Sequence, residues 1–180
     1  MHAAPSLPLA AAHRHPPAQR SRRGLTLLEL VIGLAVVAVL SAMAWPSLHG
    51  RLAREKLNTA AQALHADLTE ARFEAARRGQ TLHVVVSAGP LWCWSVAATP
   101  GCDCALPQAC QLQAVRAKDH PGLQLLGASV TRLNADGAAD GDFSTTLENR
   151  SHEQLRVSLS PLGRARICTA RGTATRHPAC

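Results

Sequence analysis

With 180 residues and 47% apolar side chains, the chain has room for one modest globular domain plus a membrane segment, which excludes a large multidomain enzyme. Its formal charge of +7 does not by itself imply an anionic partner. Residues 1–24 hold Arg14, Arg20, Arg22 and Arg23 and no acid, so the remainder carries 15 basic residues against 12 acidic ones, an excess of +3.

Residues 1–24 read as a basic, proline-dotted leader that takes no part in the fold. From Leu25 an almost unbroken apolar run reaches Trp45, about long enough to cross a bilayer as a helix. The arginines before it are expected to stay cytoplasmic. One carboxylate, Glu29, sits near the start of the run, where an unpaired charge is costly and therefore needs a partner and a purpose. A secretory signal cleaved near Ser41-Ala42-Met43-Ala44 is the rival reading.

The stretch Arg22-Arg23-Gly24-Leu25-Thr26-Leu27-Leu28-Glu29-Leu30 resembles the processing site of type IV prepilins and type II secretion pseudopilins. That resemblance implies a peptidase cut after Gly24, N-methylation of Leu25, and pairing of Glu29 with the N-terminal amine of a neighbouring subunit. The family usually has Phe where this chain has Leu25.

Beyond Pro46, which is expected to kink the helix rather than end it, Leu57, Ala60, Ala61, Leu64, Leu68, Ala71 and Ala75 recur at three- and four-residue steps. They predict an amphipathic helix packed on the following domain and ending at Arg77-Arg78-Gly79. Arg51, Arg54, Lys56, Arg72, Arg77 and Arg78 read as its solvated face. The period then changes to that of strands: a hairpin over Thr81–Ser87 and Leu91–Ala97, shorter strands at Cys110–Val115, Leu123–Leu126 and Val130–Leu133, a break over Asn134–Asp142, and a last hairpin of Leu155–Ser160 with Arg164–Thr169. The tail from Ala170 reads as irregular. With no Tyr and two Phe, the core falls to Leu, Val and Ala with Trp92 and Trp94.

All six cysteines follow the apolar run, which reads as disulfides in an oxidising compartment; the spacing does not suit a zinc ribbon. Cys168 with Cys180 would close a loop of about a dozen residues, roughly 2–4 kcal/mol in the chain-entropy account. Among Cys93, Cys102, Cys104 and Cys110 two pairings stay open once adjacent Cys102 and Cys104 are kept apart. Asp136, Asp140 and Asp142 offer calcium-type oxygens, but without an EF-hand spacing they read as an Asp-Gly turn. No catalytic motif and no cofactor motif stands out, and no metal or enzymatic activity is expected.

The charge is concentrated at the C-terminal end. Residues 151–180 hold Arg156, Arg164, Arg166, Arg171 and Arg176 against Glu153 alone, a local +4. Arg164 and Arg166, two apart on a strand, would project from one face about 6.6 Å apart. By itself this reads as an edge strand blunted by charge.

Together, the single helix, the β-domain and Gly163-Arg164-Ala165-Arg166 resemble the GspH/FimT group of minor pilins and pseudopilins. In the FimT branch a C-terminal Gly-Arg-x-Arg motif binds incoming DNA, so the resemblance implies a DNA site at Gly163, Arg164 and Arg166, with Arg171 and Arg176 as weaker helpers. The expected architecture is α+β and pilin-like: a leader over 1–24, a transmembrane half-helix over 25–45, an amphipathic half over 46–79 and a disulfide-containing antiparallel β-domain over 80–180. Expected partners are double-stranded DNA, prepilin peptidase, other major and minor pilins and the inner membrane. The C-terminal domain would be periplasmic and later surface-exposed in a pilus. A GspH-like tip component of a type II secretion system is the alternative.

Overall fold

A computed structural model describes residues 26–172 and 176–180, without the side chains of residues 43–48. The leader and the expected cut between Gly24 and Leu25 lie outside the described residues. One helix, α1 (Leu27–Arg78, 52 residues), opens the described chain and runs through Pro46 without ending there.

The chain divides after Ser41 into two compact units. In the first, every described side chain of the helix is exposed, including Leu30, Ile32, Leu34 and Val37. A helix apolar all round suits an apolar surround rather than water. Among the described residues no helix is long and apolar enough to cross a membrane; the described side chains of this run stop at Ala42.

The second unit holds the β-domain. All seven residues of the predicted helical stripe are buried, from Leu57 to Ala75. Eight strands follow: β1 (Leu82–Ser87), β2 (Cys93–Ala97), β3 (Gln111–Arg116), β4 (Leu123–Leu126), β5 (Ser129–Leu133), β6 (Phe143–Asn149), β7 (Gln154–Leu159) and β8 (Ala165–Arg171). The strands form two four-stranded antiparallel sheets, ordered β3-β2-β1-β5 and β4-β6-β7-β8. The chain visits the second sheet at β4, returns to the first at β5, and then stays in the second.

β6 was not expected. Its buried face reads Phe143, Thr145, Leu147, Asn149, so half of its inward positions are polar and the apolar alternation is lost. The Thr145 hydroxyl donates to the carbonyls of Leu126 and Gly127, and Asn149 Nδ2 donates to Glu153 at 2.9 Å, which makes this burial tolerable.

One core joins the helix stripe to both sheets through Val84, Trp94, Val96, Leu125, Phe143, Leu147 and Val157. Trp92 and Trp94 stack at 5.5 Å, and the Trp92 indole donates to the Leu123 carbonyl at 2.9 Å, tying the first sheet to β4 of the second. β2 is buried on both faces. Its inward face meets the helix, and its outward Cys93 is bridged to Cys104 of the following loop.

Candidate functional site

The arginine pair is built on the β7–β8 hairpin. Ser160 closes the turn, its N–H donating to the Arg164 carbonyl at 3.0 Å and its carbonyl accepting from Gly163 N–H at 2.8 Å. Gly163 has φ +70 and touches the β5–β6 loop so closely that a β-carbon would stand 2.0 Å from the Gly137 carbonyl oxygen. Arg72 of α1 braces the same point, donating through Nε to that carbonyl at 3.2 Å. Arg72, expected on the solvated face, is therefore half-buried and acts as a strut. Gly163 is buried and has a clear packing role in this turn.

Arg164 and Arg166 are exposed, while Ala165 and Ile167 between and beyond them pack on the core. Arg166 lies opposite Ser158 and Cys168 lies opposite Arg156, so Arg156 shares the outer face as the diagonal neighbour of Arg166, about 7–8 Å away between Cα atoms. Arg156 is exposed too; the sequence counts it in the C-terminal basic cluster but does not assign it to the site, because only strand pairing brings it to the pair. Among the described residues none of these three arginines makes an ion pair.

The other two basic residues stand apart. Arg171 lies opposite Gln154, past a register shift. Its charge, after hydrogen bonds from Gln154 and His152, helps to hold the Glu148 carboxyl below the usual range. Arg176 sits 3.8 Å from Glu55 on α1. The tail is not irregular throughout. Pro178 and Cys180 pair with Thr169 on the outer edge of β8 at 2.7 and 3.1 Å, and His177 Nε2 lies 2.8 Å from Asn58 Oδ1. The Cys168–Cys180 bridge fastens this return, which covers the edge at Thr169. The remaining bridges are Cys93–Cys104 and Cys102–Cys110, one of the two pairings left open.

The Asp-rich loop is used locally. Asp136 accepts from the Ala138 N–H at 2.9 Å, and Asp140 pairs with Arg132. Among the described residues the only ligand-like grouping of three is Cys93, Asp103 and Cys104, whose sulfurs are bonded to each other and not available to a metal.

Two further carboxylates matter. Asp67 points into the core from α1, accepting from the Trp94 indole at 2.7 Å and from Gln113 at 2.9 Å. Burial pushes its carboxyl up, the Trp94 bond opposes that, and the charge of Glu70 adds to it. Arg77 and Arg78 hold Glu74 down to about 2 at the helix end, mainly through hydrogen bonds.

At the other end of α1, the Thr26 hydroxyl accepts from the Glu29 N–H at 3.2 Å, capping the helix so that Glu29 lies in its first turn. A carboxylate there is favoured by the helix dipole.

A helix packed against antiparallel sheets, preceded by an apolar half and a processing-type motif, defines the pilin class, whose members are structural subunits and not enzymes. The profile described as "Prokaryotic N-terminal methylation motif" matches residues 19–45, and that described as "Type II transport protein GspH" matches residues 60–163, more than half of the chain. The chain belongs to this GspH family of minor pilins and pseudopilins. It is 49% identical over 59 residues to "Pilin-like protein PilA1" of Thermus thermophilus, covering 32% of this chain and 36% of that relative, so it spans about a third of the curated relative it matches. The crystal structure of the type IV minor pilin FimU of Pseudomonas aeruginosa shares the fold, with TM-score 0.51 and 17% identity over 69% of this chain and 94% of that one.

Proposed function

We propose that the chain is a minor type IV pilin of the FimT kind, binding extracellular double-stranded DNA for uptake in natural transformation. The observation that carries this reading is the open row of Arg164, just before β8, and Arg166 on β8, with Arg156 beside them on β7, all three exposed and none in an ion pair among the described residues. Arginine forks onto phosphate oxygens, and phosphate contacts carry no base information. With about three such contacts, affinity falls in the ~10⁻⁴–10⁻⁶ M non-specific range. Weak binding suits a retracting fibre that holds DNA and then releases it. Arg171 and Arg176 serve as weaker helpers.

Processing follows the prepilin route: a cut after Gly24, a methylated Leu25, residues 25–45 spanning the inner membrane, and Glu29 neutralising the N-terminal amine of a neighbour. Gel shifts of the mature chain with two duplexes of unrelated sequence test the DNA reading; equal, weak shifts are expected, and no shift at low salt refutes it. A tip pseudopilin of a type II secretion system is the second reading, favoured by the description of the matching family. It predicts no shift and a loss of secretion on deletion.

A further inference from the structure

The second sheet turns one face to the core and the other outward, and its outward positions line up across the strands in rungs. One rung is Arg166 on β8, Ser158 on β7 and Ser144 on β6; the next is Cys168, Arg156 and Thr146. Neighbouring strands stand about 4.8 Å apart, so Ser158 and Ser144 lie about 5 and 10 Å from the Arg166 position. Thr146 is one such step from Arg156.

The hydroxyls of the buried Thr131 and Thr145 serve the fold, each donating to backbone carbonyls. Those of Ser144, Thr146 and Ser158 make no hydrogen bond among the described residues, not even between Ser144 and Ser158, which face each other directly. Ser144 is exposed and the other two are half-buried. The first sheet differs here, since its β2 is buried on both faces. Charge bounds the patch. Asp142 precedes β6 and Glu148 lies near its end, the latter held by Gln154 and His152. Between them the outward positions of β6 and the Arg156 and Ser158 positions opposite carry neither an acid nor an aromatic ring. Arginines and hydroxyls with no ring to stack on a base suit backbone phosphates.

We propose that the duplex backbone crosses this face from β8 to β6, Ser158 and Ser144 continuing the line of Arg166 and Thr146 that of Arg156, with each hydroxyl donating a hydrogen bond to a phosphate oxygen. This rests on the DNA reading above and adds its positioning part: the arginines attract the duplex and release counterions, and the hydroxyls fix where the backbone lies. Duplex binding by the full mature chain in detergent is followed by fluorescence anisotropy over a salt series, for wild type and for Ser144→Ala/Thr146→Val/Ser158→Ala. The triple variant should lose at least about tenfold in affinity while keeping the wild-type log–log salt slope, because a neutral hydroxyl releases no counterion. Ser144→Asp should also weaken binding at least about tenfold, whereas Thr59→Asp, the same charge on the exposed face of α1, should stay within about threefold. Wild-type affinity in the triple variant, a fallen slope, or equal losses in the two Asp variants overturns the proposal. If the triple variant melts below wild type, Ser144→Ala alone decides, with about threefold weaker binding expected and wild-type affinity refuting. A wild-type chain that binds no duplex at low salt refutes the DNA reading itself; binding that ignores these hydroxyls refutes only their part in it.

Discussion

Replacing Gly163 by Ala tests how the arginine row is held in place. The backbone there has φ +70, and a left-handed conformation costs an L-residue about 1–2 kcal/mol. The new β-carbon would meet the Gly137 carbonyl oxygen at 2.0 Å and Arg72 Cδ and Nε at 3.1 Å. Arg72 can shift, but the carbonyl cannot easily yield. Gly137 sits in a turn closed by its own N–H to Asn134 and by Asn134 N–H to Ala138, both at 2.8 Å. Moving that turn adds about 1–3 kcal/mol, as overpacking does elsewhere. The sum is about 2–5 kcal/mol, and in a domain of this size each kcal/mol lowers Tm by roughly 3–6 °C. Circular-dichroism melts of the mature chain in detergent should therefore show a drop of at least about 6 °C. A variant melting within about 2 °C of wild type would refute the packing role assigned to Gly163 and return it to the list of candidate DNA contacts.

Three other outcomes are expected. Asp67→Ala strips the buried Trp94 indole of its acceptor and should cost about 1–3 kcal/mol in denaturant unfolding. Because the folded pKa of Asp67 is raised, its contribution is fully present below pH 3.8 and lost as pH rises through the folded value, so Asp67→Asn should gain on wild type toward neutral pH and flatten that dependence; parallel pH profiles would contradict this. Cys180→Ser should free the tail to proteolysis and cost roughly 2–4 kcal/mol without unfolding the core, since the bridge closes a loop with sequence separation 12; a free thiol at Cys180 in periplasmic material would remove the basis for this. Mass spectrometry should find a mature chain beginning at methylated Leu25, with Glu29→Ala processed normally but poorly assembled. A mature start near Ala44 would sink the prepilin reading.

The helix was legible because its partner surface imposes a 3.6-residue period, and each of the seven stripe residues from Leu57 to Ala75 is buried as that period requires. The two hairpins were legible for the same reason at period 2. What stayed hidden is what depends on distant partners. β6 carries Thr145 and Asn149 at inward positions, and only their bonds to Gly127 and Glu153 in the folded chain explain them. Without β6 the β7–β8 hairpin had no neighbour, and the second sheet could not be inferred. Asp67 is an acidic residue on a buried face, and its partners lie 27 and 46 residues away. At the candidate site the alternation of Arg164 and Arg166 could be read locally, whereas Arg156 joins them only through the β7–β8 register. Gly163 looked like part of a binding motif because its contact with Gly137 crosses two strands.

The most direct test of the central claim is the salt dependence of duplex binding by the mature chain and by Arg164→Gln/Arg166→Gln. Three phosphate contacts give a log–log slope of about −2.7, and removing two should bring it to about −1 with affinity lost at physiological salt. The double variant should keep its melting temperature and its leader processing. An unchanged slope with unchanged affinity would contradict the account and move the DNA site away from Arg164 and Arg166, whereas no binding by the wild-type chain would favour the secretion pseudopilin.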